Sequence, residues 1–289
     1  MSRLIRAIAA FALALPAVGA AQPCTPITSL PAVISQSGNY CLDRSHVVDI
    51  RDGAAIAIDA EDVSVDCRGH VIDGRLPDGI ATRANGISAI SRMSISVRNC
   101  SVRGFASGIN FSSSGWIPWN LVVEDNRVDG SRQSGISIVG SSHRLAGRGA
   151  VRRNIVTNVG GSGSPFAVGI STQHTPDVVD NLVDGVTSSG DFAAGISQTS
   201  AGGAVVSRNH VRNVASAGSA FGIMVGNAEY RTSVEVRDNV ISNSAPGPHA
   251  TAIGCGSNGS HIAIGNLATG YAQVIGDCVD GGGNRGGLD

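Results

Sequence analysis

One small unit returns seven times between Cys100 and Asn266: an aliphatic residue, Asn three positions on, a second aliphatic two further, then Gly or Asn after two more. The central slots hold Cys100, Asn126, Asn154, Asn181, Asn209, Asn239 and Asn266. Three before them stand Val97, Val123, Val151, Val178, Val206, Val236 and Ala263, and four after them Gly104, Gly130, Asn158, Gly185, Asn213, Asn243 and Gly270. A weaker copy puts His70 in the slot, with Cys67, Ile72 and Gly74 around it. Units of 26 to 30 residues are too short to bury a face alone. They must stack and share one continuous core.

The local pattern is that of strands. Val, Ile, Thr and Ser dominate, apolar positions alternate, and 39 Gly punctuate the chain. The Gly/Asn column predicts a left-handed turn residue in every coil. The Asn column predicts a ladder of stacked amides, each donating to one neighbour and accepting from the other. A second column, Gly86-Ile87, Gly108-Ile109, Gly135-Ile136, Gly169-Ile170, Gly195-Ile196 and Gly222-Ile223, predicts another strand with Ile inward. Its outward neighbours Ser88, Asn110, Ser137, Ser171 and Ser197 are small and polar. The expected fold is all-β, a parallel solenoid of about nine coils. Residues 22–60 would form an N-terminal cap and first coil, 22–280 a single domain, and 281–289 a flexible Gly-rich tail.

On these columns the chain resembles the right-handed parallel β-helix proteins, the pectin-lyase-like superfamily, over roughly residues 50–280. That fold hosts many activities, and the resemblance implies tests by motif. The N-T-D, D-D, G-H-G and R-x-K set of polygalacturonase-like hydrolases is missing; Gly69-His70-Val71 is a fragment of the third. The D-P-H-D signature of alginate-type epimerases is missing too, since Pro248-His249 lacks its acids. Pectate lyases need a calcium-binding acid cluster. The local group Asp59, Glu61, Asp62 and Asp66 sits beside the cap and reads as turn and surface.

Residues 1–21 have the form of a secretory signal peptide: Arg3 and Arg6, an apolar run from Ile8 to Val18, then small residues at Gly19 to Ala21. An exported, periplasmic or extracellular protein follows, with no membrane attachment once the leader is removed. Six Cys in such a chain predict three disulfides. Proximity favours Cys24 with Cys41, and Cys255 with Cys278 about one coil on. Cys67 and Cys100 are left over, in different columns of the repeat. No C-x-x-C spacing supports a zinc site, and no motif calls for a cofactor. A net charge of −1 gives no footprint for nucleic acid. All 21 basic residues are Arg, which excludes a lysine base or Schiff base.

Two connections per coil vary in length. The one after the Asn turn carries Asp129, Asp184 and Asp191, the weak catalytic candidates, and Phe105, Arg132, Phe166, Phe192 and His249. Asp129 and Asp184 lie two coils apart, about 9–10 Å by strand spacing. That is too far for a retaining carboxylate pair and marginal for an inverting one. The connection after the Ile strand carries Trp116, Trp119, His143, Arg144, His174, Tyr230 and Arg231. Aromatic faces beside Arg and His suit sugar. The sequence therefore predicts an exported β-helix that binds polysaccharide or surface glycan along this edge. A divergent lyase, hydrolase or epimerase is the second reading, and a structural or adhesin-like surface protein the third.

Overall fold

The structure is a computed structural model. It describes residues 23–75, 82–113, 120–140, 149–173, 176–199, 203–226, 233–245, 247, 249–256 and 261–287. Among these residues the chain is all strand and turn, wound into three sheets of 11, 10 and 10 strands. Neighbouring strands are parallel throughout, one coil pairing with the next. A representative coil runs Leu121–Glu124 in sheet 1, Arg127–Asp129 in sheet 2 and Ser134–Gly140 in sheet 3. Between partial coils at the two ends, the strands from Gly38–Leu42 to Gln273–Gly276 form nine complete coils.

The predicted columns are stacks. The residues three before each slot line the core from sheet 1, and Val97, Val123, Val151, Val178, Val206, Val236 and Ala263 are all buried. Val102, Val128, Val156, Val183, Val211, Ile241 and Ala268 line it from sheet 2, and the Ile column from sheet 3. The sheet 3 stack starts one coil earlier than expected, with Ile56 opposite Ile87. A coil interior filled by β-branched side chains in fixed register is the dominant source of stability here.

At the corner between sheets 1 and 2 stands the Asn ladder. Each Oδ1 accepts from the backbone N–H and from Nδ2 of the Asn one coil earlier. Asn154 donates both to Asn181 at 3.0 Å, and Asn181 both to Asn209 at 3.0 Å. Each Nδ2 also donates to a carbonyl of the inner Val column, as Asn181 does to Val151 at 2.9 Å. The ladder has a built beginning and end. At its start the slot is filled by the disulfide Cys67–Cys100, and the Cys100 N–H donates to Asn126 Oδ1 at 3.0 Å. At its end Asn284 takes the bonds of Asn266 and donates to Asp280 Oδ1 at 2.6 Å.

These ends correct two expectations. His70 does not begin the column: a tight turn, His70 N–H to Cys67 carbonyl at 2.8 Å, inserts Arg68-Gly69 and brings buried Cys67 beside Cys100. The apparent mismatch of columns was this insertion, and all six cysteines are paired. At the other end, residues 281–287 are not a free tail. Arg285–Gly287 pairs in parallel with Leu267–Thr269 as the last strand of sheet 2. At the N-terminus Thr25–Ile27 already pairs with Tyr40–Leu42 as part of sheet 1, joined by Cys24–Cys41.

The left-handed column is present at Gly104, Gly130, Asn158, Gly185, Asn213 and Gly270, with φ between 54° and 77°. Asn243 is the exception. Its amide donates to the Val214 carbonyl at 2.7 Å and its Oδ1 accepts from Ala245 N–H. A second left-handed column lies one residue before each slot: Asn99, Asp125, Arg153, Asp180, Arg208, Asp238 and Gly265, φ 51° to 64°. Two such residues per coil make the corners sharp.

Candidate functional site

Three sets of side chains are chemically notable. The first is the edge where the chain leaves sheet 3. Ser113, Gly140 and Gln173 end three successive strands of the sheet, and Val225 ends the strand two further on, beyond Phe192–Thr199. Trp116, Trp119, His143, Arg144, His174, Tyr230 and Arg231 fall in the connections after these strands and lie outside the described residues. Gln173 is described, and its Oε1 accepts from Gly140 N–H at 3.0 Å, tying two coils together. On the outer face, Ser88, Asn110, Ser137, Ser171 and Ser197 stand in one register row, as expected.

The second set is the acidic residues of the other connection. Asp129 accepts from Thr157 Oγ1 at 2.6 Å and Asn158 Nδ2 at 2.8 Å. Asp184 accepts from Arg212 Nη2 and Asn213 Nδ2, both at 2.8 Å. Each carboxylate thus clamps the turn of the following coil. Register places Asp129 opposite Thr157 and Thr157 opposite Asp184, so the two acids remain two coils apart. Asp191 lies in the same coil as Asp184 but seven residues on, in the turn between Leu182–Ser188 of sheet 2 and Phe192–Thr199 of sheet 3. The structure does not bring these three carboxylates together. Of the Phe residues nearby, Phe105 is buried beneath Gly74 and Gly86, while the rings of Phe192 and Phe221 meet tilted by 40°, 6.0 Å between centroids. These are packing roles.

The third set was not foreseen: an acid–arginine ladder on the outside of the sheet 1–sheet 2 corner. Arg153 forks onto Asp125 with two bonds of 2.8 Å, and Arg208 onto Asp180 at 2.8 and 2.9 Å. Those forks draw the carboxyls of Asp125 and Asp180 below the usual carboxylate range. Its signal lies in the sequence, since Asp125, Arg153, Asp180, Arg208 and Asp238 stand one before successive slots and alternate in charge. On the far side of sheet 2, Asp73 is nearly buried. Burial raises its carboxyl, but hydrogen bonds from Arg75 and Arg103 outweigh it and hold it at about 2.

These depressed values set an acid response. A carboxylate whose folded value lies below its unfolded value stabilises the fold above about pH 4, and that contribution is lost as pH falls through the folded value. For Asp73 the window is about pH 4 to 2. It is worth about 1–2 kcal/mol once screening of the exposed Arg partners is allowed for. The melting temperature should fall from pH 4 to pH 2, and Asp73→Asn should flatten that fall. A parent melting temperature unchanged down to pH 2.5 would contradict this.

Between the Arg68-Gly69 insertion and Arg153 the same corner holds an open groove of about 730 Å³. Asp66, Asn99, Ser101, Asp125, Arg127 and Ile155 line it with those two arginines.

The family model for the right handed beta helix region matches residues 85–270. The chain belongs to that right-handed β-helix family. No curated protein matches it. Among solved structures it is similar to the Dettilon tailspike protein (gp208), at 16% identity and TM-score 0.57, over 91% of this chain and 60% of that one. It is similar at 15% identity, TM-score 0.41, to the tailspike of E. coli bacteriophage HK620, a structure in complex with a pentasaccharide, over 86% and 51% of the two chains. It is similar at 14%, TM-score 0.36, to the A-module of the Azotobacter vinelandii mannuronan C-5 epimerase AlgE6, over 86% and 80%. The chain thus spans about three fifths of the length of the first tailspike, and at these identities the likeness is one of fold.

Proposed function

We propose that this is an exported β-helix protein that binds an extended polysaccharide or surface glycan along the edge where the chain leaves sheet 3. The supporting observation is register. The strands Ser107–Ser113, Ser134–Gly140, Phe166–Gln173, Phe192–Thr199 and Ser219–Val225 pair in sequence order. The connections that carry Trp116, Trp119, His143, Arg144, His174, Tyr230 and Arg231 therefore start from neighbouring rungs. Five rungs span about 19 Å, the reach of an oligosaccharide. Aromatic rings cover apolar sugar faces, and Arg forks onto acidic groups.

Export is consistent with three disulfides, which persist in oxidising compartments. Among the described residues no helix is long and apolar enough to cross a membrane. Binding is favoured over cleavage because Asp129 and Asp184 are committed to clamping turns. Polysaccharide pull-down by the parent and by a Trp116→Ala, Trp119→Ala variant tests the proposal. The variant should lose at least about ten-fold in affinity, since stacked aromatics each contribute about 1 kcal/mol or more. Equal binding by both removes this edge. Release of reducing or unsaturated ends, abolished by Asp129→Asn or Asp184→Asn, would establish a catalyst instead.

A further inference from the structure

We infer that the groove at the sheet 1–sheet 2 corner is a second binding site, which takes an acidic saccharide bearing carboxylate or sulfate groups. It lies on a different corner of the coil from the sheet 3 edge and does not depend on it. The inference starts from charge. Along this corner the arginines and acids neutralise each other: Arg153 is held by Glu124 and Asp125, and Arg208 by Asp180. Toward the N-terminus that matching fails. The corner position on the preceding coil is Asn99, not an acid, and the coil before it carries the inserted Arg68-Gly69.

The result is an excess of cation. Asp66 is occupied by Arg98, by Asn99 Nδ2 and by the Arg68 backbone N–H. Asp125 is occupied by the Arg153 fork. Among the described residues Arg127 makes no ion pair or side-chain hydrogen bond, and the Arg68 guanidinium makes no ion pair and one hydrogen bond, to the Cys24 sulfur at 2.9 Å. Both are exposed, and both line the groove. Two coil steps separate them, about 10 Å along the axis. Two planar guanidiniums at that spacing fit a ligand with repeated oxyanions, because each forks onto one carboxylate or sulfate.

The rest of the lining suits a sugar better than a bare ion. Ser101 offers a hydroxyl, and Asn99 keeps its side-chain carbonyl free after its amide is used on Asp66. Ile155, 37% exposed, supplies a small apolar contact at the far wall. The floor is rigid: Cys100 is cross-linked and Asn126 belongs to the ladder. A site on such a floor is preorganised, so little ordering entropy opposes binding.

Affinity electrophoresis and calorimetry with the full mature chain decide the matter. The probes are polygalacturonate, chondroitin sulfate, neutral dextran and sodium sulfate. The parent should bind at least one acidic polymer, more weakly as salt rises, and should not bind dextran. Arg68→Gln with Arg127→Gln should weaken that binding about ten-fold or more. Trp116→Ala with Trp119→Ala should leave this component of the binding in place. Both arginines are exposed, so the variant should melt as the parent does. No binding of either acidic polymer by the parent overturns the inference, as does undiminished binding by the double Arg variant. Equal affinity for sodium sulfate and the polymers would make it a simple anion site and overturn the saccharide assignment.

Discussion

Asn181→Leu is expected to cost on the order of 3–6 kcal/mol and to lower the denaturation midpoint sharply. Asn181 makes five side-chain hydrogen bonds, all of them within the corner. Leu removes the acceptor of the buried Asn154 N–H and the amide donor of the Val151 carbonyl. Each buried group left unpaired costs about 1–3 kcal/mol, and the γ-branched side chain must also fit a slot shaped for an amide. Because coils touch mainly their neighbours, the damage should localise and split unfolding into two steps. Asn181→Asp should not rescue it, since a carboxylate cannot donate to Val151 or Asn209. A midpoint for Asn181→Leu within error of the parent would show that the ladder is incidental.

The ladder was legible because Asn, the inner Val and the turn residue each recur at fixed offsets, and stacking converts offset into contact. What the same columns concealed is informative. The Cys67–Cys100 bond looked mismatched because the two-residue insertion at Arg68-Gly69 shifts sequence count without shifting coil register. Gly281 to Gly287 looked like a flexible tail by composition, yet its backbone finds partners in Leu267–Thr269 and Asn284 completes the amide column. Composition judges a segment alone, whereas a solenoid end is ordered by the template beneath it. The second left-handed column was hidden for a related reason. Arg153 and Arg208 are poor left-handed residues by intrinsic preference, but each is held by a fork onto Asp one coil away.

The functional surfaces were legible to a lesser degree. Periodicity assigns residues to corners, and so it placed Asp129 and Asp184 on one column, where the register puts them. It did not tell that both carboxylates are occupied, because their partners Asn158 and Arg212 come from the next coil. Charge balance along a corner depends on the same inter-coil pairing. Arg127 stands out only once Arg153, Arg208 and Arg212 are seen to have acids of their own.

Gly169→Ala should be nearly as damaging as loss of a ladder amide, although it adds one methyl group. The Gly column of sheet 3 is a matter of space. An added Cβ at Gly169 would lie 2.4 Å from Val183 Cγ1 and 2.5 Å from the Gly195 carbonyl oxygen. Gly86, Gly108, Gly135, Gly195 and Gly222 meet the same pair of obstacles, a sheet 2 side chain and the next coil's carbonyl, at 2.3 to 2.8 Å. The first obstacle is a β-branched residue fixed in one rotamer by stacked copies of itself, and the second is paired backbone. Neither yields cheaply, so the coil must open where sheets 2 and 3 converge, at a cost of about 2–4 kcal/mol on the scale of core overpacking. Gly163→Ala is the control, because nothing lies within 4 Å of its added Cβ. Val183→Ala in the Gly169→Ala background should recover part of the loss, since it removes the nearer obstacle, while Val183→Ala alone should destabilise by leaving a cavity. A Gly169→Ala protein that unfolds at the parent's midpoint, or a second substitution that rescues nothing, would mean that the Gly column answers to some other constraint than the closeness of sheets 2 and 3.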